Sequence, residues 1–582
     1  MVLSLVSWRR EEKDRAGRFS FIIVAHTPRK EFDMAALDGR TVIARSLKQQ
    51  GIEQIFGVVG FPVYELAEMA QREGIEFYGF RNEQAASYAA GVAGYLTGRP
   101  GVCLTVSGPG MVHGIAGLSN AWANCWPMLL LGGAPDSYQR EQGAFQEAPQ
   151  LEAARPFVKL STRPDSVARI PAYLEKAVRT ALYGRPGAVY VDLPNDLLTG
   201  EIDESAVKWA ARCPPPPRSC ALPQDVTAAL ETLRGAQRPL VIVGKGAAYA
   251  RAETEVQHFI EATQLPFLAS PMGKGVVADD HALSVASARS RALQEADVIF
   301  LIGARLNWIM HFGMAPRFAP GVKIVQLDIT PEEIGTNIPT EVALVGDAGA
   351  IMSQLNAALG TTPWKFSASS PWWRDLRASI ADNEATVAGM LNDDSVPMGY
   401  YRVLREVRDA IPRDAIISSE GANTMDIGRS VLLNHSARHR LDAGTFGTMG
   451  VGIAFAIAAA AIYPRKKVVC VEGDSAFGFS GMEVETACRY KLPITFVVIN
   501  NNGIGSGVSE MPEVVPPYAY TPNARYDQVI EAFGGKGYYV TNPDTLGPAL
   551  REAMGSTVPS LVNVMINPRA TRKPQKFAWL TR

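Results

Sequence analysis

Three consecutive α/β domains, each a doubly wound parallel sheet, are predicted by three features of this sequence. From about Gly39 onward, short strand-like runs alternate with helical stretches. Most of those runs are continuously apolar, as in a parallel sheet with helices on both faces. Two compositional breaks then cut the 582 residues into pieces of ordinary domain size, as a chain too long for one core requires.

In the first piece, Val42 to Gln50 carries a helical pattern, and Gln54 to Gly60 reads as a strand running into a tight turn. Further buried strands are expected at Val102 to Val106, Met128 to Leu131 and Val189 to Leu193. Cys213-Pro214-Pro215-Pro216-Pro217 is an extended spacer, since consecutive prolines forbid helix and central strand. The second piece has expected strands at Leu240 to Val243, Val298 to Ile302 and Lys323 to Leu327, each ending near Gly or Asp as in a nucleotide-binding sheet. A Thr-, Ser-, Pro- and Trp-rich stretch near Thr361 to Pro371 opens the third, with strands at Ala415 to Ser418, Lys467 to Val471 and Ile494 to Asn500. The expected domains are 34–210, 220–362 and 372–570, preceded by a disordered extension (1–33) and followed by a tail (571–582).

Composition narrows the function. Net charge is -1, so there is no global electrostatic case for nucleic acid or an anionic membrane. The most apolar candidate span, Val451 to Tyr463, falls well short of the ~20 residues that cross a bilayer. The six cysteines form no CxxC pair and several sit in apolar runs, reading as buried thiols of a reducing compartment. Acidic residues in the first 33 positions argue against a transit peptide, and the ending Trp579-Leu580-Thr581-Arg582 is no SKL-type address. A cytoplasmic protein is expected.

The chemistry is announced by Val468-Val469-Cys470-Val471-Glu472-Gly473-Asp474-Ser475, with Asn500-Asn501-Asn502-Gly503 on the next strand. Carboxyl ends of neighbouring parallel strands are where such sheets bind ligands. The Asp474 carboxylate, an Asn amide oxygen (Asn501) and a loop carbonyl (Gly503) are hard donors suited to Mg²⁺ and diphosphate. Either half alone would read as a helix cap or an Asn-Gly turn. A second string, Gly79-Phe80-Arg81-Asn82-Glu83-Gln84-Ala85-Ala86, places an acid at a helix start, where the dipole alone would explain it. A third, Gly444-Thr445-Phe446-Gly447-Thr448-Met449-Gly450-Val451-Gly452, is a Gly-rich loop opening the Ala-rich helix Ile453 to Ala461.

Together the first two strings resemble the signatures of thiamine diphosphate (ThDP) enzymes, the second in the pyruvate oxidase-like branch. The resemblance implies a pyrimidine domain, a central nucleotide-binding-like domain and a diphosphate domain. It implies that Glu83 hydrogen-bonds pyrimidine N1′ of ThDP and promotes the imino tautomer. It makes Asp474, Asn501 and Gly503 the Mg²⁺ ligands, has Met449 hold the two rings bent, and has the Gly447 carbonyl accept from the 4′-amino group. Phe446, Thr448, Tyr400, Gly421, Ala422, Asn423, Ser475, Ala476 and Ile504 match further cofactor contacts. Because the pyrimidine domain of one subunit meets the diphosphate domain of another in this superfamily, a homodimer is implied as the active unit, with a homotetramer expected.

From about Arg40 onward the chain resembles the 2-hydroxyacyl-CoA lyases and their relative, oxalyl-CoA decarboxylase. The resemblance is carried by Phe56-Gly57-Val58-Val59-Gly60, Gly244-Lys245-Gly246-Ala247-Ala248-Tyr249, Ala304-Arg305-Leu306-Asn307-Trp308, Glu420-Gly421-Ala422-Asn423-Thr424-Met425-Asp426 and the block from Gly473 to Glu485. It implies cleavage of a 2-hydroxyacyl-CoA to formyl-CoA and an aldehyde, or the reverse condensation. Gly143-Ala144-Phe145-Gln146-Glu147 favours the lyase, since Phe145 and Gln146 make an uncharged wall better suited to an acyl chain than to a second carboxylate. Ser107 through His113 and the tail from Thr571 through Leu580 point the same way, with His113 a candidate beside the thiazolium and otherwise a packed helix-start histidine. Phe61, Arg289 and Arg429 match positions that contact CoA. Arg185, Lys245, Arg305 and Asp328 match an ADP-binding set, although each Arg would also serve in a surface ion pair. One departure stands out: Gly505 occupies a position where the relatives carry Tyr, and the following loop, Ser506 to Pro517, is short. The alternatives are oxalyl-CoA decarboxylase and a ThDP-fold protein without activity. A nicotinamide enzyme would need a Gly-x-Gly-x-x-Gly fingerprint after Val243, which is absent.

Overall fold

A computed structural model describes residues 36–574. The expected extension 1–33 and most of the tail, including Trp579 and Leu580, lie outside the described residues.

Three parallel sheets follow one another along the chain. In spatial order, the first joins Glu76–Gly79, Gln54–Gly57, Gly101–Thr105, Met128–Ala134, Ala188–Pro194 and Leu160–Thr162. The second joins Phe267–Ala269, Pro239–Val243, Val298–Ile302, Lys323–Asp328 and Val342–Val345. The third joins Arg440–Asp442, Ile416–Glu420, Val468–Gly473, Thr495–Asn500, Ser560–Met565 and Lys536–Val540. The apolar runs sit where expected because only a strand covered on both faces can bury every side chain. Val298–Ile302 and Thr495–Asn500 are buried at every position. No helix among the described residues is long and apolar enough to cross a membrane.

In all three sheets the strand order reverses between two neighbours, leaving a crevice at their carboxyl ends where α/β sheets take ligands. In the first sheet the reversal lies between Gln54–Gly57 and Gly101–Thr105, in the third between Ile416–Glu420 and Val468–Gly473. The sequence reading did not single out the edge strands Glu76–Gly79, Leu160–Thr162, Phe267–Ala269, Val342–Val345, Arg440–Asp442 and Lys536–Val540, nor the buried Ser560–Met565. It also did not single out the antiparallel pair Ala36–Asp38 and Glu201–Asp203. Several of these are three or four residues long, or are half-exposed like Lys536–Val540, so hydrophobic period alone carries little signal.

The first and third domains meet directly. The helix Glu83–Thr97 packs along the all-apolar helix Gly452–Ile462, which is buried from Gly452 to Ala461. A helix apolar all round needs neighbours on every side, and this one lies between its own sheet and the first domain.

Candidate active site

Gly473 lies opposite Ile499 in the third sheet, so the residues just beyond, Asp474 and Asn500 to Gly503, emerge side by side. Asp474 is buried; its Oδ1 accepts from the Ser475 N–H at 2.8 Å and its Oδ2 from the Gly503 N–H at 2.9 Å. One terminal atom of the Asn501 amide stands 2.9 Å from the Gly503 carbonyl oxygen and 3.0 Å from Asp474 Oδ1. With nitrogen in that place the amide bridges the other two groups by hydrogen bonds. With oxygen there, three oxygens face one small space with no proton between them, a donor set that fits Mg²⁺. Burial pushes the Asp474 carboxyl up to about 6, against the pull of those N–H groups. A cation in the gap would reverse that.

The other side of the crevice is built for close approach of an anion. Gly421 adopts φ 91°, and a Cβ there would stand 3.3 Å from the Gly473 nitrogen. Only glycine combines that backbone with that contact. Behind it starts the helix Ala422–Val431, whose N-cap Gly421 makes no side-chain capping hydrogen bond, and a helix N-terminus of that kind suits an anion. Asn423 donates to the Gly505 carbonyl at 3.2 Å and meets the hydroxyl of Tyr400, which is buried and pushed up to about 12. Ser475 Oγ lies 3.1 Å from the Tyr520 hydroxyl. The structure thus brings Tyr400, Gly421, Ala422, Asn423, Ser475 and Ala476 to the rim of the Asp474 crevice. Ile504 stands exposed beside it, its N–H held by the Tyr518 carbonyl at 2.8 Å.

The loop from Gly444 to Gly450 leads toward this crevice from the preceding strand. Phe446 is exposed, Gly447 takes φ 67°, and Thr448 Oγ1 accepts from Asn120 Nδ2 at 2.7 Å. The root of the loop is fixed by Glu420, whose buried carboxylate accepts from the N–H groups of Gly450 and Gly452 at 2.5 and 2.6 Å.

Glu83 opens the helix Glu83–Thr97 behind the N-cap Asn82, whose side chain accepts from the Gln84 N–H at 2.8 Å. Its Oε2 lies 3.0 Å from His113 Nδ1. A Cβ on Gly110 would come within 3.1 Å of Oε1, so the glycine keeps the carboxylate accessible from that side. His113 rides on the helix Pro109–Asn124, which begins at Gly108 (φ 56°). Gln146, itself at φ 56°, packs over Gly108 and meets Ser107 Oγ at 3.3 Å. Phe61 and Phe145 meet edge to face with ring centroids 6.2 Å apart, and with Pro135, Asp136, Gln139, Gln142 and Ala144 they line a cleft of about 440 Å³. The sequence-expected residues Phe61, Glu83, His113, Phe145 and Gln146 therefore gather at the carboxyl edge of the first sheet. Within one chain, no hydrogen bond or ion pair among the described residues joins Glu83 to the Asp474 crevice.

Three protein-family profiles cover most of the chain. Residues 37–153 match the thiamine pyrophosphate enzyme N-terminal TPP binding domain, 226–355 the central domain and 420–564 the C-terminal TPP binding domain. Among individual proteins, 2-hydroxyacyl-CoA lyase 1 of Homo sapiens is 53% identical over 94% of this chain and 97% of its own. The 2-hydroxyacyl-CoA lyase of Arabidopsis thaliana is 44% identical over 92% of this chain and 96% of its own. Oxalyl-CoA decarboxylase of Escherichia coli (strain K12) is 43% identical over 92% and 95%. The chain belongs to the 2-hydroxyacyl-CoA lyase family of thiamine pyrophosphate enzymes. It is a ThDP-dependent lyase.

In the lyase the expected nucleotide set falls into two groups at the junction of the first and second domains. Arg185 pairs with Glu333 at 2.5 Å and stands 3.9 Å from Asp328 Oδ1, at the end of a buried strand. Lys245 donates to Asn124 Oδ1 at 2.7 Å and to Thr445 Oγ1 at 3.2 Å, and Arg305 reaches the same hydroxyl at 3.2 Å. Burial and the neighbouring Arg305 bring the Lys245 ammonium down to about 7. Arg289 donates to the Ile309 carbonyl at 3.1 Å, whereas Arg429 is held by Asp426 and Asp442.

Several of the lyase's supporting residues escaped the sequence reading. Glu420, Glu483, Asn120, Asn124, Thr445 and Tyr520 each act on a residue far away in the chain. Their local strings look like ordinary caps, helix starts and loop positions. Glu420, Thr445 and Glu483 lie inside the strings quoted above, yet nothing local says that the Glu420 carboxylate turns onto a glycine N–H thirty residues on.

Proposed function

We propose that this enzyme cleaves the C1–C2 bond of a 2-hydroxyacyl-CoA, yielding formyl-CoA and an aldehyde, and runs the reverse condensation of formyl-CoA with carbonyl compounds. Its hydroxyl proton leaves C2 oxygen and C1 gains a proton, so the cleavage is redox-neutral. ThDP held with Mg²⁺ supplies the nucleophilic thiazolium carbon and the electron sink for that cleavage. Asp474, Asn501 and the Gly503 carbonyl would hold the metal, with Gly421 to Asn423, Tyr400, Ser475 and Ala476 around the diphosphate. Phe446 to Met449 would shape the ring pocket. Glu83 would present its carboxyl to pyrimidine N1′, with His113 beside it to orient the carboxyl and exchange a proton near the reacting carbon.

The observation that carries the substrate assignment is the cleft lined by Phe61 and Phe145 at the carboxyl edge of the first sheet. Phe61, Pro135, Ala144 and Phe145 give it an apolar wall, and its lining holds one carboxylate, Asp136, and no cationic side chain. Such a wall accepts an alkyl chain and repels the second carboxylate of an oxalyl group. The CoA itself would be met by Phe61, Arg289 and Arg429, and an ADP-like effector by Arg185, Lys245, Arg305 and Asp328. The enzyme would be a cytoplasmic homodimer or homotetramer serving α-oxidation of fatty acids. Purified protein with ThDP and Mg²⁺ should release formyl-CoA and the shortened aldehyde from a 2-hydroxyacyl-CoA panel, and release little CO₂ from oxalyl-CoA. Faster turnover of oxalyl-CoA would replace the lyase with the decarboxylase.

A further inference from the structure

The turn that delivers Glu83 is anchored by a carboxylate from the other end of the chain. Glu483 is buried, and its Oε1 accepts from the backbone N–H groups of Arg81 and Asn82, both at 3.1 Å. Its Oε2 accepts from Thr486 Oγ1 at 2.6 Å and stands 3.3 Å from the Arg81 N–H. Asn82 is the N-cap of the helix that Glu83 opens, so Glu483 grips the two peptides directly before the reactive carboxyl. These N–H groups precede the helix and have no turn of their own to donate to, so a buried anion is their acceptor. The grip is reinforced upstream, where the Gly79 N–H donates to the Tyr490 hydroxyl at 2.7 Å and Arg489 donates to the Gly79 carbonyl at 2.7 Å. Glu483 lies nine residues after Asp474, in the short helical segment that follows Asp474–Ser480.

We propose that Glu483 is a positioning residue for the lyase reaction, setting the height and direction of Glu83 by holding the Arg81–Asn82 peptides across the interface between the first and third domains. This rests on the reading of Glu83 as the carboxyl that meets the cofactor's pyrimidine. Glu483 touches neither the metal ligands nor the cleft, so its loss should spare cofactor affinity, which the diphosphate crevice sets, and damage the proton step that Glu83 serves. A displacement near 1 Å at such a group costs about 10²-fold.

The test is hydrogen–deuterium exchange at C2 of protein-bound ThDP, read by NMR after acid quench, beside ThDP affinity from intrinsic fluorescence. At saturating ThDP and Mg²⁺, Glu483→Ala should slow exchange about 10²-fold while the ThDP Kd moves less than about threefold. Glu483→Gln, which keeps one oxygen facing the two N–H groups, should recover most of the exchange rate. Thr486→Val, which removes only the hydroxyl on Oε2, should give a smaller loss in the same direction and carries the test if Glu483→Ala does not fold. Unchanged exchange in Glu483→Ala and Thr486→Val, or losses that only track cofactor occupancy, would overturn the proposal. Glu83→Gln, run in parallel, separates the two readings. If it leaves exchange intact the assignment of Glu83 fails; if it abolishes exchange while the Glu483 and Thr486 variants do not affect it, only the positioning role fails.

Discussion

Glu83 and Asp474 are both acids near the start of a helix, yet their surroundings divide them. Glu83 keeps one oxygen on His113 and the other reachable past Gly110, whereas Asp474 is shut in among backbone N–H groups and the Asn501 amide. The first environment suits proton exchange with a ligand, the second a fixed cation. Glu83→Gln should therefore lower kcat by about 10²–10⁴-fold at unchanged melting temperature, measured by formyl-CoA release. Asp474→Ala should cancel the thermal stabilisation that ThDP and Mg²⁺ give the wild type, measured by differential scanning fluorimetry. For the metal-free wild type, burial has raised the Asp474 pKa to about 6, so the carboxylate is present above that pH and lost below it. Divalent-ion affinity should hold above pH 6 and fall about tenfold per unit below it, since one proton competes with the ion. A titration of Mg²⁺ affinity between pH 5 and 7 checks the sign and the slope.

Strand ends and the loops they launch do the positioning. The Gly421 turn, the Gly473–Asp474 turn and the Asn501–Gly503 turn lie on three adjacent strands and converge because those strands are parallel and in register. Gly421→Ala puts a Cβ against the Gly473 nitrogen in a backbone region that side chains avoid. It should cost about 1–3 kcal/mol of stability and weaken ThDP binding, read by urea unfolding and fluorescence titration. The Gly444–Gly450 loop is held from all three domains at once: by Asn120 and Asn124, by Lys245, Arg305 and Trp308, and by Glu420. Trp308 donates to the Thr445 carbonyl at 2.6 Å, so the middle domain steadies a loop of the third even before any nucleotide is considered.

At the scale of the molecule, one chain holds Glu83 at the edge of its first sheet and Asp474 in the crevice of its third, with no bond between them. Exposed apolar side chains flank both, Val112 and Trp122 on the helix of His113 and Phe479 and Met482 beyond Asp474. Such exposed apolar surface is what a subunit interface covers, in keeping with the proposed homodimer. If each site draws Glu83 from one subunit and Asp474 from its partner, two inactive variants should complement. Mixing Glu83→Gln with Asp474→Ala under conditions that reshuffle subunits should restore about a quarter of wild-type activity, half the dimers having one intact site of two. No recovery in verified mixed dimers would place both groups in one subunit's site.

Much of this was legible in the residues themselves. Apolar runs of four to seven residues bounded by Gly and Asp announce buried parallel strands, and Gly473-Asp474 with Asn501 to Gly503 announces side chains that meet at neighbouring strand ends, because both signals depend on neighbours in sequence and on the fixed pleat and register of a sheet. The Gly505 departure was visible too. Its meaning was not, since the carbonyl of Gly505 meets Asn423 and the Tyr520 hydroxyl reaches Ser475 only after the chain has folded. Glu483 on the Arg81–Asn82 peptides, Glu420 on the Gly450–Gly452 turn and Lys245 on Thr445 are likewise decisions of the tertiary structure. A hydrogen bond is set by distance and angle within a few tenths of an ångström, and residues this far apart in the chain acquire that relation only when a domain folds, as for Glu420, or when two domains dock, as for Glu483 and Lys245. Local pattern determines what each segment can become, and packing decides which polar groups then find one another.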